Sequence, residues 1–196
     1  MGLITKAEPT AAAGAGCGPV DGLEQNGAAE PRRSATMKMQ HMKIVDGGLD
    51  DPRVQKLLAH HFASARAQTA PGSAHALDLD GLTSPGIRFW SAWDAETVIG
   101  IGAVKRLSES HGELKSMHTV EAYRRKGVGS AVLSHIIAEA RTMGLSRLSL
   151  ETGSWPYFAA ARAFYAKHGF ADCPAFGDYI ADPNSVFMTL RLNRGP

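Results

Sequence analysis

An α/β domain with a mixed sheet is predicted for this chain by two observations. Strand patterns stand on both sides of one long amphipathic helix: two strands and a central strand, the helix, then further strand, helix and strand. That helix also opens on a basic glycine turn directly after the central strand, Arg124-Arg-Lys-Gly127-Val-Gly129.

The elements follow in order. Residues 1–41 are rich in Ala, Gly, Pro and Glu and carry few large apolar side chains. They cannot bury enough surface to offset the entropy of ordering, so they read as a disordered extension. The domain proper is expected over 42–196. Lys43-Ile44-Val45 predicts a first strand. Asp51 is a candidate N-cap, with Pro52 at the first helical position. Val54, Leu57, Leu58 and Phe62 mark the buried face of the helix that follows. Ala70-Pro71-Gly72-Ser73 breaks that helix. His75 to Thr83 reads as a loop or helical turn, and its acidic pair Asp78 and Asp80 could meet a cationic substrate.

Ile87 to Trp93 and Thr97 to Leu107 predict a hairpin turning at Asp94-Ala95-Glu96. Gly100 and Gly102 in its second strand signal a bulge or a close backbone approach. His111-Gly112 is expected to turn the chain into the central strand, which closes at Thr119-Val120. From Val128 the pattern is helical, with Leu133, Ile136, Ile137 and Ala140 on one face. Gly144 is a natural stop. Arg147 to Thr152 reads as a buried strand, Ala159 to His168 as a second helix, and Ser185 to Leu192 as the last strand. No internal repeat is apparent.

A strand, a glycine turn and a helix N-terminus make an anion site. The first helical N–H groups lack partners, and the helix dipole adds positive charge there. Gly127 and Gly129 let a phosphate approach the backbone. Arg124, Arg125 and Lys126 add charge, so a diphosphate is the natural ligand. The Walker pattern is absent. The third glycine of the dinucleotide fingerprint is replaced by Val132.

The pattern Arg124-x-x-Gly127-x-Gly129 resembles the pyrophosphate loop of the GNAT superfamily of acetyl-coenzyme A-dependent N-acetyltransferases. Ala161-Arg-Ala-Phe-Tyr165-Ala-Lys-His-Gly169-Phe170 is similar to a second GNAT motif, a helix carrying Tyr and ending at Gly-Phe. The chain departs from that motif at Phe158, where many members have an asparagine that bonds the pantetheine arm. The resemblance covers 42–192. It implies a mostly antiparallel central sheet flanked by helices, with a splayed central strand pair.

It also implies acetyl-coenzyme A as co-substrate. Expected contacts are Met117, His118 and Thr119 on the central strand, and Arg124, Arg125, Lys126, Gly127, Val128, Gly129 and Ser130 in the loop and first helical turn. The Thr119 N–H is expected to stabilise the oxyanion. Tyr165 is the candidate acid for the departing thiolate. Strand alternation places Glu113, Lys115, Met117 and Thr119 on one face. Glu113 is then the candidate base, unless Lys115 holds it in an ion pair; Glu151 is the alternative. His118 is expected on the opposite face.

The reading is therefore an N-acetyltransferase acting on an amine of a small molecule or peptide, by direct attack in a ternary complex. The alternative is a non-catalytic acyl-coenzyme A-binding sensor or scaffold. A net charge of +2 makes no case for nucleic acid or membrane binding. Cys17 and Cys173 form no disulfide framework and have no zinc spacing around them, so no metal is expected. Lacking a long apolar run or a signal-like N-terminus, the sequence reads as cytoplasmic. A homodimer is left open.

Overall fold

The computed structural model describes residues 41–68 and 79–192. The extension expected over 1–41 (His41 apart), the break at 70–73, Asp78 and Cys17 lie outside these residues. Strands β1 (Met42–Asp46), β2 (Ile87–Asp94), β3 (Thr97–Arg106), β4 (His111–Thr119), β5 (Arg147–Gly153), β6 (Ala171–Asp172) and β7 (Ser185–Arg191) form one sheet. Its order is β1-β2-β3-β4-β5-β7-β6. Only β4 and β5 pair in parallel, because the chain crosses between them through a helix. Helices α1 (Pro52–Ala67), α3 (Val128–Thr142) and α4 (Ala159–Lys167), with the short α2 (Leu79–Leu82), flank it.

The apolar pattern of each helix decides its side. Val132, Leu133, Ile136 and Ala140 of α3 pack with Val104, Leu114, Leu148 and Leu150, and Tyr165 brings α4 into the same cluster. Val54, Leu57 and Leu58 of α1 and Leu82 of α2 cover the other face, over Phe89, Val98, Ile101 and Ala103. Burying one such aliphatic side chain contributes about 1.5–3 kcal/mol. Asp51 caps α1 as expected: its carboxylate accepts the Arg53 N–H at 2.8 Å, with Pro52 in the first turn.

Three expectations need correction. His111-Gly112 is not the turn. The chain turns before it, and both residues belong to β4. His111 is buried there because Ser149 and Arg147 bind its ring nitrogens, at 2.8 and 3.0 Å. The two-residue β6, unforeseen, pairs with Thr189 and Met188 of β7.

The third correction concerns the faces of β4. Ala103 pairs with Lys115 and Ile101 with His118, so two residues, Ser116 and Met117, stand opposite Gly102 alone. This is a β-bulge, and Ser116 takes a φ of 51° to make it. The extra residue reverses the alternation. Glu113 and Lys115 lie on the α1 face, but Met117 packs against the α3 cluster. The sulfur of Met117 would stand 2.6 Å from a Cβ placed on Gly102. His118, opposite Ile101, returns to the α1 face beside His60 and His61. Glu113, Lys115 and His118 therefore share a face, and Met117 and Thr119 share the other.

Candidate active site

The strands β4 and β5 pair only over His111–Glu113 and Arg147–Ser149. Beyond Glu113 they splay, leaving an open gap between the end of β4 and the end of β5. Backbone groups of β4 that face it have no strand partner. Thr119 is one of them. The Val120 N–H donates to the Ile99 carbonyl at 3.0 Å, and Thr119 lies opposite Gly100. That combination marks a non-hydrogen-bonded pair, so the Thr119 N–H turns away from β3 and toward the gap. Its carbonyl accepts from Arg124 Nε at 3.4 Å.

The glycine loop follows. Arg125 and Gly127 adopt φ of 60° and 89°, which turns the chain sharply into α3. The first intrahelical bond runs from the Ala131 N–H to the Gly127 carbonyl, at 3.0 Å. The N–H groups of Val128, Gly129 and Ser130 precede it, and no side chain caps them. A Cβ on Gly127 would meet nothing within 4 Å, whereas one on Gly129 would stand 3.3 Å from the Thr119 hydroxyl and 3.5 Å from the Phe164 ring. Arg124, Arg125 and Lys126 are exposed. Lys126 sits over the Tyr123 ring, 5.2 Å from its centroid. Val128 is buried and packs near Gly100, so its backbone alone is available to a ligand.

Tyr165 lies on the α3 side. Its ring stacks edge-to-face on Phe164 and Phe170, and it makes no hydrogen bond to a described residue. Burial pushes its hydroxyl well above the usual tyrosine range, so the group stays protonated. Phe158, at the position of the family's asparagine, lies against Gly153. Its ring fills the space a side chain there would need, at 2.3 Å from a built Cβ.

Glu113, the last residue of β4 paired with β5, lies on the α1 face of the sheet and is committed. Its Oε1 accepts from Lys115 Nζ at 2.9 Å and from the Tyr179 hydroxyl at 2.6 Å. Lys115 also donates to the Tyr179 oxygen at 2.8 Å. Burial, then the Glu113 charge, pushes the Tyr179 hydroxyl far up. The ion pair foreseen between Lys115 and Glu113 is thus present, with side chains only 9% and 4% exposed. Glu151 accepts from the Ser185 hydroxyl at 2.7 Å. Tyr179 had no signal in the sequence, because it lies on the loop before β7, 66 residues from its partner. Ser116 Oγ is the one buried side-chain polar atom among the described residues without a partner.

The gap between β4 and β5, the uncapped α3 and the Thr119 N–H that faces the gap are the features that the resemblance to an acyl-coenzyme A-dependent transferase fold implies. Comparison with known proteins makes the assignment specific. Residues 55–170 match the model of the acetyltransferase (GNAT) family. The chain is 49% identical over 144 residues to the uncharacterized N-acetyltransferase YedL of Escherichia coli K12, covering 74% of this chain and 91% of that protein. Among solved structures, a candidate acyl-CoA N-acyltransferase from Klebsiella pneumoniae superposes with a TM-score of 0.65 at 26% identity, over 80% of this chain and all of that one. The PaiA N-acetyltransferase of Thermoplasma acidophilum, in complex with coenzyme A, shares the fold with a TM-score of 0.60 at 15% identity, over 77% and 99% of the two chains. The chain belongs to the GNAT family and is an acetyltransferase. Among the described residues, no helix is long and apolar enough to cross a membrane. No group of three His, Cys, Asp or Glu side chains there is placed to hold a metal ion.

Two histidines near the gap make the fold sensitive to acid. Burial, then the adjacent His60, lowers His61 to about 4. Burial, then His61, Arg124 and His60, lowers His118 to about 4. An unfolded histidine titrates near 6.5. Between 6.5 and 4 the unfolded chain therefore binds more protons than the folded one, and stability falls as pH drops through that window. The two rings contribute to this loss together, and it grows toward the lower end of the window. Urea melts at pH 7 and pH 4.5 should show it, and His118→Gln should flatten the slope. Equal stability at the two pH values would show that the rings stay solvated.

Proposed function

We propose that this protein transfers the acetyl group of acetyl-coenzyme A to the amine of a small molecule or peptide, by direct attack in a ternary complex. The observation that carries the reading is the gap between β4 and β5, with the Thr119 N–H facing it. The uncapped N–H groups of Val128, Gly129 and Ser130, with Arg124, Arg125 and Lys126, suit the pyrophosphate. Met117 and His118 would contribute backbone. The Thr119 N–H would hold the carbonyl oxygen as it gains charge; one such donor is worth about 3 kcal/mol of barrier in other enzymes. Tyr165, kept protonated by burial, would supply the proton to the departing thiolate. Glu113 would fix Lys115 and Tyr179 along the acceptor side. The free thiol of Cys173 fits a reducing cytoplasm.

Release of free thiol from acetyl-coenzyme A, followed across a panel of amines, tests the reading. Binding without turnover of any amine would favour the sensor or scaffold instead. Gly127→Val gives a separate check. Gly127 needs its φ of 89°, in which a β-branched residue is strained. Saturating acetyl-coenzyme A, at about 100 times its dissociation constant, should stabilise the parent by about 2.7 kcal/mol. The variant, compared with its own unliganded melt, should lose most of that gain. An unchanged thermal shift would place the phosphates elsewhere.

A further inference from the structure

Three histidine rings meet beside the gap, on the face opposite α3. The His118 ring of β4 lies 5.1 Å from that of His61 and 5.9 Å from that of His60, centroid to centroid. His61 is partly buried and His60 is exposed, so the cluster leads from the strand to solvent. His118 immediately precedes Thr119, whose N–H faces the gap, and the bulge at Ser116 is what turns the His118 side chain to this side. The nearest carboxylate on the same face of the strand is Glu113, and its Oε1 already holds an ammonium and a phenol.

Resting on the acetyltransferase reading above, we propose that His118 takes the proton from the acceptor amine, and that His61 and His60 pass it to solvent. The amine nitrogen attacks the thioester carbonyl carbon, and the new C–N bond forms. The nitrogen loses one proton to the unprotonated ring nitrogen of His118. The tetrahedral adduct then collapses. Its C–S bond breaks with the electron pair going to sulfur, and the Tyr165 hydroxyl supplies a proton there. His118 passes its proton to water through the other rings, and Tyr165 regains one from water. Amine and thioester become amide and thiol, and protons balance.

Two features of the surroundings bear on this. His118 is unprotonated at neutral pH, because burial, His61, Arg124 and His60 all disfavour its cation. Its charged and titratable neighbours are His60 and His61 on α1 and Arg124 after β4, with Lys115 and Glu113 further up the strand, and the last two neutralise each other.

The experiment measures single-turnover acetylation of the best acceptor in a panel of small primary amines and free-amine peptides, from pH 6.5 to 9. His118→Gln should lower the rate at least 100-fold, while its melt keeps the full stabilisation by acetyl-coenzyme A. In His118→Ala, added imidazole should recover at least tenfold of the lost rate. His135→Gln, on α3 against Trp90, should stay within twofold of the parent. A His118→Gln rate within threefold of the parent would overturn the assignment while leaving the acetyltransferase reading intact. So would a loss that tracks lost acetyl-coenzyme A stabilisation and resists imidazole, since that describes a structural residue. A parent protein that binds acetyl-coenzyme A and acetylates none of these amines would overturn both.

Discussion

Tyr165→Phe should keep its fold and lose turnover by roughly 10²–10⁴, the usual worth of a positioned acid. The substitution removes one oxygen and leaves the ring against Phe164 and Phe170. No described residue bonds that hydroxyl, so no buried partner is orphaned, and the stability penalty of a lost hydrogen bond does not arise. Affinity for acetyl-coenzyme A should change little, because on the proposed reading the loop at Arg124–Gly129 and the first turn of α3 would grip the diphosphate. The leaving thiol of a thioester has a pKa near ~8.5. On the proposed reading, the phenol would spare the site from expelling it as a bare thiolate. Single-turnover kinetics should accompany steady-state rates, since slow product release in the parent would mask part of the loss. A single-turnover rate within threefold of the parent would remove Tyr165 from the chemistry and leave it as a core aromatic.

The parts of this structure that were legible in the sequence are those written in local spacing. The start of α1 shows as Asp51-Pro52. The loop and α3 show as Arg124, Gly127 and Gly129 followed by an apolar stripe, and α4 ends at Gly169-Phe170. In each, the residues that determine the geometry are a few positions apart. What was not legible depends on residues far apart in the chain. His111-Gly112 looks like a turn until Ser149 and Arg147, from a strand beyond α3, satisfy the imidazole. Tyr179 reaches Glu113 from a loop with no repeating pattern.

The faces of β4 were misread for a subtler reason. Gly100 and Gly102 did signal a bulge, and β3 has one at Ile99, where Ala92 pairs with Gly100 and Trp93 with Val98, but the second extra residue is in the partner strand, at Ser116, a residue type that gives no warning of a φ of 51°. One inserted residue moves every later side chain to the other face. It separated Glu113 from Met117 and Thr119 and brought His118 to the α1 face beside His61. Strain of this kind, a non-glycine residue in a sparsely populated region, persists where the surroundings enforce it, and such sites cluster at active sites. Ser116 lies where β4 leaves β5, with a buried hydroxyl that has no partner among the described residues.

Lys115→Met should cost about 3–5 kcal/mol, the largest stability loss expected from a single change near this site. The side chains of Lys115 and Glu113 are both nearly inaccessible. Two charges buried together contribute little net stability, because desolvation offsets their attraction, but removing one leaves the other uncompensated. Methionine keeps most of the lysine stem's volume, so packing is not what is lost. Among the described residues, the Glu113 carboxylate would retain only the Tyr179 hydroxyl, whose own ionisation burial and that carboxylate already oppose. Adding Glu113→Gln to Lys115→Met should recover much of the deficit, since the amide needs no counter-ion and can still accept from Tyr179. Denaturant melts of the parent, the two single variants and the double variant form the cycle that isolates the pair. Additive single losses would show that water reaches the pair and that each charge is solvated on its own. The same variants bear on catalysis. If Glu113 serves only to hold Lys115 and Tyr179, Glu113→Gln should lose stability while the protein that remains folded keeps its turnover. If Glu113 collects the proton from the amine, the rate constant should fall by orders of magnitude in protein that is fully folded.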